Sequence, residues 1–180
     1  MLKFTGHILA LLGLLSLITP CQGEPLNDNG IDYDTSDLSY ASYIRSNKRF
    51  KCLYGYAAEK TGDHKAAMLI FEDCIERWND VYSMIWLAQM YEAGIAIPQD
   101  LTKSTELMKR GAQQQDDAGY ASLARFHYGV ALYEGVGTRA NKPEAIHYLR
   151  LASKEGVPEA CDYLKKRGIG CTQEQKKESK

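Results

Sequence analysis

The sequence predicts an all-α fold: an α-solenoid of about three antiparallel helix-turn-helix repeats plus a C-terminal capping helix. Three observations predict it. Gly94 and Gly135 stand 41 residues apart, at the same point of two similar units. Each is followed by a polar cap residue, Asp100 or Asn141, and then by an amphipathic segment. Apolar residues do not alternate over any long run, so no strand pattern competes. One helical hairpin cannot bury both of its faces, so repeated hairpins must stack.

The chain opens on a segment with the pattern of a secretory signal peptide, residues 1–23. Lys3 supplies a positive start, and Ile8 to Ile18 is an apolar run broken only by Gly13 and Ser16. That run is too short for a hydrocarbon core about 30 Å thick, which needs about 20 residues. Pro20 ends the run, and Cys21 and Gly23 put small residues at −3 and −1 of a cut after Gly23. A rival reading acylates Cys21 as a lipoprotein anchor, although Pro20 directly before it departs from the usual lipobox. An uncleaved anchor is the third alternative.

Residues 24–36 read as a disordered acidic linker, carrying Asp28, Asp32 and Asp34. A calcium loop starting at Asp32 fails, because Asp37 and Tyr43 stand where Gly and Glu are required. The repeat domain is placed at 37–168, with Asp37 as its first cap. A short stripe of Tyr40, Tyr43 and Ile44 is followed by a helix from Phe50 to Lys60. Thr61-Gly62-Asp63 turns the chain into a helix from Lys65 to Arg77. Asn79-Asp80 punctuates, and helices follow at Val81–Ala93 and Leu101–Gln113, the second capped by Asp100. Gln114 to Asp117 forms a polar joint. A long helix from Ala118 to Glu134 is expected to be long or kinked, with Gly129 as the point of a break. Asn141 followed by Pro143 starts the next helix, which ends at Glu155-Gly156. Pro158 starts the capping helix, and residues 169–180 form a polar tail.

Composition narrows the function. Hydrophobic residues make up 44% and charged residues 25%, ordinary for one globular domain of 180 residues. Without the leader the chain has 21 basic against 23 acidic residues, so it lacks the basic field that nucleic-acid binding needs. If Cys21 leaves with the leader, Cys52, Cys74, Cys161 and Cys171 remain, an even number that suits two disulfides in an exported chain. Cys52 and Cys74 lie eleven residues before and after Asp63, at equal height on an antiparallel hairpin. Cys161 and Cys171 are then the local pair. No CxxC or Cys/His cluster offers metal-ligand spacing, so neither metal nor cofactor is expected.

Catalytic motifs are missing. There is no Gly-x-Ser-x-Gly, no HExxH and no phosphate loop at the glycine turns. Ser104 and Ser153 lie in amphipathic helices. His64, His127 and His147 have no acidic or cysteine partner at a useful spacing. The informative feature is a surface. On the helix from Val81, Ser83, Leu87, Ala88 and Tyr91 occupy the packing positions. At about 100° per residue, Tyr82, Trp86 and Gln89 share the opposite face. Large aromatics pointing away from a core mark an interaction site, unless they pack on the preceding repeat. Tyr120 and Tyr133 are further candidates for the same wall.

Leu87, Ala88, Tyr91, Gly94, Ile97, Asp100 and Lys103 form one motif, with Ala96 where a second glycine is usual. Tyr128, Gly129, Leu132, Gly135, Gly137, Asn141 and Ala145 form another, with Leu132 where a tyrosine is usual. The two motifs resemble the Sel-one-like repeat family, a relative of the tetratricopeptide repeat, over about residues 50 to 165. The first unit, with its short turn and Gly55, Ala58, Phe71 and Cys74, is more similar to a plain tetratricopeptide repeat. Cys52 and Cys74 also look like the staples of exported, cysteine-rich members. The resemblance implies an exported scaffold, periplasmic or secreted, that binds a protein or a cell-envelope component on its concave face. It leaves two alternatives. One is a β-lactam-binding or weakly hydrolytic protein of the cysteine-rich kind, for which no catalytic motif can be matched. The other is an accessory of an envelope machine such as a flagellar motor or a polysaccharide exporter.

Overall fold

Side-chain caps set most of the helix starts. A computed structural model describes residues 39–172, and among them there are eight helices and no strand. The helices are α1 (Tyr40–Ile44), α2 (Lys51–Thr61), α3 (His64–Trp78), α4 (Val81–Ala93), α5 (Leu101–Ala112), α6 (Tyr120–Glu134), α7 (Lys142–Lys154) and α8 (Pro158–Lys165). The carboxylates of Asp63, Asp80 and Asp100 accept hydrogen bonds from the backbone N–H of Ala66, Ser83 and Lys103, at 3.1, 3.0 and 3.0 Å. Each satisfies one of the donors that a helix start leaves unpaired. Left-handed residues end the first helix of each hairpin: Gly62, Gly94 and Gly135. The leader, the acidic linker, the Asp37 cap and residues 173–180 lie outside the described residues.

The hairpins are α2/α3, α4/α5 and α6/α7, and each packs on the next. α1 lies against α2 and α3, and α8 against α7. First helices also touch one another in sequence, α2 with α4 and α4 with α6. Small residues let the helices approach. Ala88, Ala112, Ala124 and Ala145 meet around Tyr128 and Leu132 in one core cluster. Ala58 and Ala67 meet around Phe71 and Met84 in another. Leu149 and Leu164 anchor the last. This is the layered stacking of an α-solenoid.

Two sequence expectations change in detail. The long helix begins at Tyr120 rather than Ala118, because Asp116 takes over its start. The Asp116 carboxylate accepts from the N–H of Tyr120 at 3.0 Å and of Ala121 at 2.5 Å, and Gly119 sits left-handed at φ 82°. The helix is also unbroken at Gly129. That glycine serves close packing instead: a Cβ there would lie 2.8 Å from Leu149 Cγ of α7.

The turns after α4 and α6 carry one instructive difference. Ala96 and Gly137 occupy equivalent places, and both are left-handed, at φ 60° and 64°. Ala96 is exposed. At Gly137 a Cβ would collide with the carbonyl of Leu101 and with Thr105. The turn there is docked on the first turn of α5, where the Thr105 hydroxyl donates to Val136 O at 2.9 Å. The second unit therefore needs its glycine, and the first tolerates alanine at the strain of a left-handed residue.

Both ends of the stack are tied covalently. Cys52 of α2 is bonded to Cys74 of α3, and Cys161 of α8 to Cys171 beyond it. The start of the tail is thereby held to the body: Ile169 packs on the last core cluster, and Arg150 Nε donates to Gly170 O at 3.0 Å. Beside the first disulfide sits Lys51, with no solvent exposure. Its ammonium pairs with Asp73 Oδ2 at 2.5 Å and donates to Ile44 O at 2.8 Å. One buried charge thus joins α1, α2 and α3.

Candidate interaction surface

The first helices of the three hairpins present a connected row of aromatic rings. Tyr56 of α2 lies 4.6 Å from Trp86 of α4, centroid to centroid. Trp86 lies 6.2 Å from Tyr82, one turn earlier on the same helix. Tyr82 lies 5.1 Å from Tyr120 at the start of α6. Adjacent rings are tilted by 48°, 64° and 64°, so they pack edge to face on one another rather than in a flat stack. The row continues onto α2 as open apolar surface, with Leu53 59% exposed, Phe50 48% and Tyr56 38%.

This surface borders a groove of about 740 Å3 where α2, α4 and α6 begin. Phe50, Leu53, Tyr82, Gln114, Asp117 and Tyr120 are among the residues that line it. Lys60 at one end of the row is paired with Glu59 at 2.8 Å. Lys60 Nζ stands 4.8 Å from the Trp86 ring centre and 5.4 Å from that of Tyr56. A hydrogen bond with Glu59 holds its ammonium pKa above the ordinary value. At the other end are Asp116 and Asp117. Arg49 and Asp80, near the middle, neutralise each other at 3.2 Å. Burial, with the neighbouring Tyr120, pushes the Tyr82 phenol up to about 12, so its hydroxyl remains a donor at any physiological pH.

Tyr82, Trp86 and Tyr120 are therefore brought together. Trp86 has two roles: it packs against the core cluster shared by the first two hairpins, and it is a member of the row. Gln89 is half-buried on the same helix. The structure sets Tyr133 apart. It packs edge-on against Tyr163 of α8 at 5.8 Å, with the Arg167 guanidinium 5.1 Å from its ring centre. Glu134 accepts there from Tyr163 and from Arg167, and these bonds hold its carboxyl below the usual range.

Sequence reasoning passed over Tyr56, Leu53 and Lys60. A signal was available: with Gly55 and Ala58 on the packing side, about 100° per residue puts Leu53, Tyr56 and Lys60 opposite. It also did not foresee that His127 would share a cavity of about 100 Å3 with Glu92 and Ser104. Burial lowers the His127 pKa, and Glu92 opposes this. Among the described residues, no group of three or more His, Cys, Asp or Glu is gathered as a metal site would require. No helix among them is long and apolar enough to cross a membrane.

The Sel1 repeat family model matches residues 81–116 and 122–157. The chain carries two Sel1 repeats. They coincide with α4/α5 and α6/α7, and they are offset by the same 41 residues that separate Gly94 from Gly135. The fold is similar to the crystal structure of a Sel1 repeat protein from Oxalobacter formigenes, with a TM-score of 0.57 and 20% identity. The match covers 74% of this chain and 54% of that one, so the chain spans little more than half of that protein's length. No curated protein matches the chain. Sel1 repeat proteins serve in general as protein–protein interaction scaffolds.

Proposed function

We propose that this chain is an exported Sel1 repeat scaffold that binds a partner protein along the aromatic row of α2, α4 and α6. The observation that carries the reading is the continuity of Tyr56, Trp86, Tyr82 and Tyr120 across three successive hairpins, next to exposed Leu53 and Phe50. A monomer gains nothing by leaving contiguous apolar surface in water, and aromatic residues in a sheltered row are the usual anchors of an interface. Export is supported by the leader pattern of residues 1–23 and by two disulfides, which persist outside reducing compartments. We place the mature start at Glu24, followed by the acidic linker and then the repeat stack from about residue 37.

The test is crosslinked capture from cells that express the full chain with its leader and a C-terminal tag. The expected result is one partner in stoichiometric amount, recovered from the envelope or the medium. Capture should fall with Tyr56→Ala and Leu53→Ser, whose exposed side chains can be removed without opening the core. It should persist with Tyr133→Ala. Capture that ignores the first two variants would overturn the assignment of the surface. A tagged chain found in the cytoplasm with its leader intact would overturn export.

A further inference from the structure

We propose that the cleft between α7 and the loop closed by Cys161 and Cys171 is an anion site that takes a phosphate monoester. It lies on the last helices of the stack and does not depend on the aromatic row.

One wall is a face of α7. His147, Arg150, Leu151 and Lys154 follow at steps of three, one and three residues, the spacing that brings side chains to one side of a helix. The other wall is Cys171 with Thr172, and the cavity between them measures about 490 Å3. Its lining holds two permanent cations, Arg150 and Lys154, and no carboxylate. Glu155, next to Lys154 in sequence, is already engaged by Arg125 and by the Ser122 hydroxyl. Among the described residues neither Arg150 nor Lys154 has an ion-pair partner, whereas Arg49, Lys51, Arg77, Arg125 and Arg167 each have one.

Arg150 is held in place. Its Nε donates to Gly170 O at 3.0 Å, which leaves both Nη groups without a partner among the described residues. A guanidinium fixed in this way presents a planar fork, the geometry that grips phosphate through two parallel bonds. The hydroxyls of Ser153 and Thr172 and the imidazole of His147 line the same cleft and can donate to an oxyanion. The end of α7 does not oppose it. The carbonyls of Leu151, Ala152 and Ser153 accept from the N–H of Glu155, Val157 and Gly156 at 3.0, 3.0 and 3.3 Å, so the negative pole of the helix is largely answered.

Charge decides which anion. Two cations within one cleft match a dianion centred on one atom. A phosphate monoester carries a charge of about −1.5 to −2 near pH 7 and three oxygens to share among the donors. The cavity exceeds what a bare phosphate ion needs and falls in the range of about 300–1,000 Å3 of small-molecule sites, and Leu151 adds an apolar patch, so the phosphate carries an organic group.

The wall opposite α7 depends on oxidation. The bond from Cys171 to Cys161 of α8 anchors it on one side, and Ile169, packed on the last core cluster, anchors it on the other. Gly170, whose carbonyl holds Arg150, lies between those anchors.

The test titrates the oxidised full chain with glucose 6-phosphate by calorimetry and with vesicles containing phosphatidic acid by sedimentation. Glucose and succinate, a dianion with its charge spread over two carboxylates, are the controls. The expected result is saturable binding of a phosphate monoester, about tenfold or more tighter than succinate, with none of glucose. Binding of glucose 6-phosphate assigns a dissolved ligand, and binding of the vesicles alone assigns a lipid headgroup; both carry the proposed chemistry. Lys154→Ala and Arg150→Ala should each weaken binding about tenfold or more, and Lys109→Ala, which removes an exposed cation of α5, should not. Circular dichroism checks the folding of Arg150→Ala, and exposed Lys154→Ala is the variant that leaves the loop contacts intact. Cys161→Ser with Cys171→Ser should weaken binding by a similar factor, and unchanged affinity there would overturn the part given to the disulfide. No binding of either monoester, equal affinity for succinate, or indifference to Lys154→Ala would overturn the site. An equal loss with Lys109→Ala would overturn it too, by showing diffuse attraction. So would binding that emerges only when Glu174 and Glu178, which follow Thr172 in sequence, are replaced by glutamine, because the chain's own carboxylates would then be the occupant.

Discussion

Replacing Lys51 by methionine tests the buried lock at the start of the stack. Methionine keeps the length and packing of the side chain and removes the charge. Lys51 has no exposure, and Ile44 O receives its ammonium at 2.8 Å. Losing that charged donor costs about 1–2 kcal/mol. Asp73 loses its 2.5 Å partner, but it keeps Arg77 at 2.8 Å, and its side chain is 24% exposed. A fully orphaned buried charge costs about 3–5 kcal/mol; Arg77, which stays on the other carboxylate oxygen, reduces the Asp73 share to about 1 kcal/mol. Relief from desolvating the lysine opposes both, so the expected net loss is about 2 kcal/mol. Urea unfolding followed by helical circular dichroism measures it. Lys51→Met combined with Asp73→Asn should show a coupling of at least about 1 kcal/mol. Burial alone raises the Asp73 pKa, yet the bonds from Lys51 and Arg77 outweigh it and leave the carboxyl below its ordinary value of 3.8. The advantage of the native pair is therefore complete above 3.8 and is lost as pH falls through the lower, folded-state value. A Lys51→Met variant as stable as the native chain at neutral pH would refute the reasoning, because the lysine would then return no more than its burial costs.

Three further outcomes are expected. Cys52→Ala with Cys74→Ala, which opens a loop of 22 residues, should cost about 3 kcal/mol by loop entropy; a thiol titration of the unfolded, unreduced native chain should find neither cysteine free. Gly137→Ala should destabilise by about 2 kcal/mol or more through its clash with the Leu101 carbonyl, while Ala96→Gly should be neutral or stabilising by up to about 1 kcal/mol, both read by urea unfolding. His127 is held neutral by burial, so stability should fall as pH drops below about 6.5, where the unfolded chain takes up the proton first; melting curves from pH 7.5 to 5.5 should flatten in His127→Gln.

Much of the fold was legible because its determinants are local. Caps at Asp63, Asp80, Asp100 and Asn141 lie within three residues of the groups they bond. The hairpin height of Cys52 and Cys74 follows from helix rise alone. The Tyr82–Trp86 face was legible for the same reason, since four residues of helix leave little room for angular error. Tyr133 lies thirteen residues beyond Tyr120, and about 100° per residue carries it some 220° around an unbroken helix. Without knowing whether Gly129 broke that helix, no face could be assigned. The burial of Lys51 was hidden for a different reason. A lysine in a first turn is ordinarily solvated, whereas here Ile44 of α1 and Asp73 and Trp78 of α3 surround it.

The two disulfides have a consequence at the level of the whole array. In a linear stack an interior unit is coupled to two neighbours and a terminal unit to one, so unravelling begins at the ends. Here the covalent bonds sit in the first hairpin and after the last helix, and the two Sel1 repeats between them have none. Oxidation thus strengthens the links that neighbours support least. It should convert an end-fraying array into one that melts as a single cooperative block, and reduction should restore the fraying without touching the middle.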